Sequence, residues 1–204
     1  MRRITVIVSV CLLFTIKAFC QPYGPLIFSE GISFEGNTSS CLRIDTSQTE
    51  SIWIIGQPSK IFFDSAYSVT HAILTDSLNY YPPNNNSYFD LIIKNCSPYW
   101  WGEGIISFWH KYDTDTLRDG GYIEISYDGG NSWKNIIDDN TYMDFIPTNF
   151  YTHSDTLFDS TPAFSGHSDD WQYSQIYWFW DAMTKPVFDS LIVRFNFRNC
   201  FDFI

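Results

Sequence analysis

Ser126-Tyr127-Asp128-Gly129-Gly130-Asn131-Ser132-Trp133 decides the reading of this chain. It follows Tyr122-Ile123-Glu124-Ile125, which alternates as a half-buried strand does, and leads into Lys134-Asn135-Ile136-Ile137. Asp-Gly-Gly between two strand-like runs is a hairpin signal. Tight turns between antiparallel strands demand positive φ, and glycine adopts it without a Cβ penalty.

Working outward, residues 27–35 read as an opening strand and residues 36–51 as polar and turn-rich. Residues 51–58 are a short apolar strand stopped by Gly56 and Pro58. A loop with the aromatic knot Ile61-Phe62-Phe63 follows, then a buried strand at 71–75 and a Pro/Asn loop at 80–86. Strands are expected at 88–93, 104–112, 121–127, 132–137 and from Trp171. Residues 191–198 alternate cleanly, apolar at 191, 193, 195 and 197 and polar at 194, 196 and 198. Short strands punctuated by Gly, Pro and Asn, with no helical period, predict an all-β antiparallel sandwich or barrel. No internal repeat supports a propeller.

Composition agrees. The chain holds 18 Phe, 13 Tyr and 8 Trp, and only 17% charged residues. Such usage suits pleated, half-buried surfaces. Met1-Arg2-Arg3, the apolar run Ile4 to Ile16 and Ala18-Phe19-Cys20 read as a secretory signal peptide over residues 1–20. The run falls short of the roughly 20 apolar residues of a membrane-spanning helix. Cys20 admits a second reading, lipidation, against which Phe19 and Lys17 both count. Residues 21–204 are then a single domain, secreted or cell-surface.

Arg2, Arg3 and Lys17 are three of the 12 basic residues, so the mature part carries nine against 23 acidic, a balance of −14. That surface repels phosphate backbones and excludes nucleic acid as a partner. Cys41, Cys96 and Cys200 remain after cleavage, with no metal-ligand spacing; in an oxidising compartment one pair can bridge, Cys41–Cys96 being preferred.

The octet at 126–133 resembles the Asp-box, found in sialidase propellers and singly in unrelated β-proteins. In that motif the Asp caps turn amides and the Trp packs beneath the turn. The resemblance gives Ser126, Asp128, Gly130 and Trp133 structural roles. A wider resemblance runs along the chain. Phe34-Glu35, Trp53 to Lys60, Phe63 to Ser68, Ala72 to Asp76, Asn86-Ser87-Tyr88, Ile106 to His110, Asp119 to Ser126, Phe164 to Ser168 with Trp171, and Val193-Arg194-Phe195 occur in an order similar to secreted Bacteroidetes modules. Those modules are related to MAM-like and jelly-roll (concanavalin-like) sandwiches. The resemblance implies a jelly-roll-like sandwich. Its closing strand, a Trp-x-x-Asp element, is not found before Ile204, which implies an incomplete C-terminal edge. It also places Glu35, Asp76 and Asp119 at strand ends, where such modules hold one structural Ca²⁺.

Chemistry-bearing constellations are sparse. His71, His110, His153 and His167 show no paired metal spacing. A triad drawn from His167 with Ser165 or Ser168 lacks a Gly-x-Ser-x-Gly frame. Glu124 alternates with Ile123 and Ile125 and faces away from the core. Tyr99, Trp100, Trp101 and Trp178 offer flat apolar ring faces for a sugar or protein ligand, although neighbours along a strand point to opposite sides and half of each run goes to the core. The expected function is a non-catalytic binding or adhesion module for extracellular carbohydrate or protein. The competing expectation is an accessory part of a secreted glycoside hydrolase or peptidase.

Overall fold

The computed structural model describes residues 12–18, 26–36, 41–44, 51–94, 101–139, 146–181 and 190–199; for residues 12–18, 26–31, 94, 101–104 and 178–181 it describes the backbone alone. Within these, twelve strands form: β1 (Leu12–Ala18), β2 (Leu26–Ile32), β3 (Leu42–Ile44), β4 (Trp53–Gly56), β5 (Ala72–Thr75), β6 (Asn86–Lys94), β7 (Trp101–His110), β8 (Gly120–Ser126), β9 (Lys134–Asn135), β10 (Ile146–Thr148), β11 (Gln172–Asp181) and β12 (Ser190–Arg198). They make two open five-stranded sheets, ordered β10-β11-β7-β1-β2 and β3-β6-β12-β8-β9, and a β4-β5 pair. Every strand pairing is antiparallel. The protein is an all-β antiparallel structure, and neither large sheet closes into a barrel.

The core follows from alternation. On β12, Val193, Phe195 and Phe197 are buried, and on β7, Ile106 and Phe108. The rings of Phe89 and Phe195 stack at 4.8 Å across β6 and β12, and Phe108 of the other sheet meets Phe195 edge-on at 5.4 Å. Trp53 closes on Phe89 at 4.9 Å. Removing such rings from water supplies roughly 1.5–3 kcal/mol each, which holds the two sheets together.

The outward face of β12 is covered too. Asp90 is paired in register with Arg43 on one side and Arg194 on the other. Arg194 donates through Nε and Nη2 to the two Asp90 oxygens at 2.8 and 3.1 Å. Its guanidinium lies 3.4 Å from the Tyr88 ring centroid and 3.9 Å from that of Trp133. A planar cation between two ring faces is attracted by both quadrupoles. Glu124 is half-buried and accepts from Asn196 Nδ2 at 2.9 Å.

Trp133 reaches Arg194 because the hairpin presents it there. Asp128 Oδ1 accepts from the amides of Asn131 and Ser132 at 3.0 and 2.9 Å, and Oδ2 from the Ser132 hydroxyl at 2.6 Å. The Ser126 hydroxyl donates to Asp128 Oδ1 at 2.8 Å and accepts the Gly130 amide at 2.9 Å. Gly129 and Gly130 have φ of 74° and 93°. The Trp133 indole donates to the Gly130 carbonyl at 3.0 Å. The Ser132 hydroxyl and amide, with Ser126, hold the Asp128 carboxyl down at about 2.

Three stretches depart from the sequence expectations. The polar stretch 36–51 contains β3, whose Leu42 and Ile44 pair with β6 and pack on the core. Residues 132–137 are not one strand: β9 is two residues long, and Asn135 then caps a 3₁₀ turn over Ile136–Asp138 by accepting from the Ile137 amide. β10 was not foreseen because it contains Pro147, tolerated since β10 lies at the sheet edge with β11 its one partner. Leu12–Ala18, inside the signal-like segment, is a strand between β7 and β2.

Candidate binding surface

Strand alternation sends Phe108 and His110 of β7 inward and Trp109 outward. Trp109 sits in register with Tyr173 of β11, and their rings lie 5.2 Å apart. Loop residue Tyr67 stacks on Trp109 at 3.9 Å with planes 12° apart, and Trp171 meets Tyr67 edge-on at 6.1 Å. Tyr67 is 44% exposed, and the other three rings are half-buried. Beside them Lys111 Nζ lies 4.2 Å above Phe62, whose ring lies 4.6 Å from that of His167. Ile61 and Val69, at the tips of the same loop, are 104% and 84% exposed.

This loop is held from beneath. Glu35 accepts from the amides of Thr70 and His71 at 2.6 and 2.7 Å and from the Ser68 hydroxyl at 3.0 Å. The His71 amide, then the Thr70 hydroxyl, keep the Glu35 carboxyl well below the usual carboxylate range. Phe63 packs in a small second core with Ala72 and Leu74. Lys60 is half-buried, and desolvation lowers its pKa to about 8.

A cleft of about 300 Å³ opens where the loops at 112–118, 149–155 and 163–165 meet. Tyr112, Phe150 and Phe164 furnish aromatic walls, and Thr116, Asn149 and Asp155 polar ones. Asn149 Nδ2 donates to the Tyr173 carbonyl at 2.8 Å, which ties the cleft to the strand bearing the exposed rings.

Inside the sandwich, His110 Nε2 lies 2.8 Å from Ser174 Oγ. Ser174 donates its hydroxyl proton to the Asn149 carbonyl. The proton between His110 and Ser174 therefore belongs to the imidazole, which is neutral; burial lowers its pKa to about 3. Ser174 is fully buried, so this His–Ser contact is part of the core and no substrate reaches it. His167 pairs with Asp113 at 3.0 Å, while Ser165 donates to the Asp119 carbonyl and Ser168 to that of Tyr112. The triad drawn on paper is not assembled.

The expected Ca²⁺ site is corrected. Glu35 is committed to the Thr70–His71 turn. Asp76 caps its own turn, accepting from the Leu78 and Asn79 amides at 2.8 and 3.1 Å, and buried Asp119 accepts from the Tyr81 hydroxyl at 2.8 Å. Among the described residues no three His, Cys, Asp or Glu side chains are grouped to hold an ion. The three carboxylates serve separate loops.

Of the aromatic residues expected to bind ligand, Tyr99 and Trp100 lie outside the described residues, as does Cys96. Trp101 and Trp178 are placed by backbone alone, near the same end of the β7–β11 pairing, with Trp101 in register with Asp181 and Trp178 with Gly104. The rings the structure brings together on the outward face are exposed Tyr67 and half-buried Trp109, Trp171 and Tyr173. The signal that could have found them was the alternation at 106–110 combined with Trp171 at the start of the partner strand. Among the described residues, no helix is long and apolar enough to cross a membrane. No family model, no curated protein and no solved structure matches the chain.

Proposed function

We propose that this chain is a secreted or cell-surface module that binds an extracellular glycan or protein without catalysing a reaction, and that the Tyr67–Trp109–Trp171–Tyr173 patch is its contact surface. The observation that carries this reading is the patch itself. Four aromatic rings from a loop and two paired strands lie together on the outward face of β7 and β11, where core packing does not call for them. Flat amphipathic rings on a rigid sheet offer a large contact area at low entropic cost. The signal-like segment before Gln21, the resemblance to secreted MAM-like sandwiches and the acidic charge balance support an extracellular site of action and a partner other than nucleic acid. Against the enzyme reading, the His–Ser contact His110–Ser174 is sealed in the core.

A glycan array probed with the secreted protein tests the reading. Binding that falls at least tenfold in Trp171→Ala and in Tyr67→Ala is the expected result. Binding indifferent to both substitutions overturns the assignment of the patch, and turnover of a glycoside or peptide panel overturns the non-catalytic reading.

A further inference from the structure

The loops that form the 300 Å³ cleft carry two non-glycine residues in the left-handed region, Leu117 at φ 62° and Asn149 at φ 50°. Asn tolerates that conformation; Leu does so at a cost that the surroundings must impose. Leu117 gains no burial from it, being 53% exposed at the cleft, and its amide is fixed by the Ser165 hydroxyl at 2.8 Å. The strain thus shapes a rim, not a core.

The polar atoms of that rim are fixed yet uncommitted. Thr152 occupies Asp155 Oδ2 through its amide and hydroxyl, both at 2.8 Å, and leaves Oδ1 without a hydrogen bond from the described residues. Asn149 is anchored through Nδ2 and leaves its Oδ1 to accept. The Tyr112 and Thr116 hydroxyls form no hydrogen bond among the described residues. Burial, then the Asp155 charge, push the Tyr112 pKa up, so its hydroxyl remains a donor. Two acceptors and two hydroxyls thus surround a space walled by Phe150 and Phe164. Its volume lies at the lower end of the ~300–1,000 Å³ range of small-molecule sites.

We propose that this cleft binds one ring of a neutral sugar. The C–H face of a pyranose packs on an aromatic wall, and its hydroxyls donate to Asp155 Oδ1 and Asn149 Oδ1 and accept from Tyr112 and Thr116. Asp155 and the net charge of −11 select against carboxylated or phosphorylated ligands. The volume admits a single residue, so the cleft holds a chain end or a branch while the outer rings contact the rest. The proposal deepens the reading of the chain as a glycan-binding module and rests on it.

The test is saturation-transfer NMR on the full chain with glucose, galactose, mannose and N-acetylglucosamine, and with glucuronate as the charged control, followed by the array. The expected result is saturation transfer to at least one neutral sugar and none to glucuronate, with affinity reduced at least fivefold in Asp155→Asn and in Tyr112→Phe. Tyr112→Phe removes one uncommitted hydroxyl and leaves the ring, so far-UV circular dichroism and the melting temperature should be unchanged. Should either variant unfold, ¹⁵N shift changes at Leu117 and Asp155 on adding the sugar to wild-type protein locate the site instead, and shifts confined elsewhere overturn the proposal. Glucuronate bound as well as the neutral sugars also overturns it. Array binding lost in Trp171→Ala but unaffected by Asp155→Asn and Tyr112→Phe refutes the cleft and leaves the outer patch standing. Absence of any neutral sugar or glycan ligand refutes the cleft and the glycan reading of the outer patch, and leaves that patch to a protein partner.

Discussion

His110 should make the stability of this protein fall between pH 6.5 and 5, before most carboxylates titrate. The imidazole is 2% exposed and surrounded by Phe108, Tyr112 and Phe164, with ring centroids at 5.2, 5.7 and 4.4 Å. Its one hydrogen bond goes to Ser174, whose own proton is directed at the Asn149 carbonyl. Nothing in that shell compensates a charge. The folded pKa is depressed from 6.5 to about 3, so in this window the unfolded chain binds a proton that the native state refuses. The stabilisation is therefore full above pH 6.5 and is lost as pH falls toward the folded value. Linkage at about 1.4 kcal/mol per pH unit gives a loss of about 2 kcal/mol from pH 7.5 to 5. Urea unfolding followed by tryptophan fluorescence at pH 7.5, 6.5 and 5 measures it for wild type and His110→Gln. Surface contributions from His71, His153 and His167, which lie beside Glu35, Asp138 and Asp113, cancel in the difference between the two proteins. That difference should shrink by about 2 kcal/mol across the window. A change below about 0.5 kcal/mol, or an imidazole resonance of His110 that titrates near the ordinary histidine value of about 6.5, refutes this expectation.

The close packing of Gly120 gives a second expectation. A Cβ there would lie 2.5 Å from the Phe164 carbonyl oxygen, whose bond to the Gly121 amide would have to open. Gly120→Ala should cost about 3 kcal/mol in a denaturant titration, and an unchanged midpoint would rule out the Gly121–Phe164 bridge. Gly130→Val forces a β-branched residue to φ 93° and should cost roughly 1–3 kcal/mol; an unaltered melting curve argues against the turn. Arg194→Met leaves fully buried Asp90 with Arg43 alone, whose side chain is 51% exposed, and should cost about 3 kcal/mol. Arg194→Lys should fall between, since it keeps the charge but loses the fork and the stacked plane. Secretion is checked by intact mass: cleavage near Cys20 yields a chain beginning near Gln21, whereas a diacylglyceryl adduct on Cys20 favours the lipoprotein reading.

Local periodicity made most of the strands legible. β4, β5, β6, β7, β8 and β12 overlap the runs expected from alternation and from Gly/Pro stops. The hairpin was legible because every requirement of its turn lies within the octet at 126–133, so no distant residue had to be known. The outer patch was not. Tyr99, Trp100 and Trp101 stand out as a consecutive run, yet neighbouring residues along a strand do not share a face. The patch is built from Tyr67, Trp109, Trp171 and Tyr173, of which two are brought together by strand register and one by a loop crossing the sheet. Register between strands far apart in sequence is a tertiary property. The same reason hid the commitments of Glu35, Asp76 and Asp119: a carboxylate at a strand end serves a cation or a turn according to which amides arrive beside it. For Glu35 those amides come from residues 70 and 71.

Leu12–Ala18 poses the sharpest conflict between the two levels. As sequence it reads as part of a basic-then-apolar leader; as structure it is a strand that pairs with β2 along its length and with Leu13, Phe14 and Thr15 opposite Ser107, Ile106 and Ile105 of β7. Both roles are served by a short apolar run, because the core-facing side chains of a strand and the hydrophobic segment of a leader are each favoured by transfer out of water. Periodicity cannot separate them, but the roles exclude one another in one molecule. If the leader is removed, Ile105–Ser107 keeps β11 on one edge and loses β1 on the other, which becomes an open ladder able to accept another strand. If it is retained, the amides of this segment that face β1 are bonded across that edge. Hydrogen exchange on the secreted protein separates the cases, since the amides on that edge exchange at rates close to those of loops in the first and are protected with the core in the second. Protection of the β1-facing amides among Ile105–Ser107 in a chain whose mass begins at Gln21 would contradict both and require that another strand has taken the vacated position.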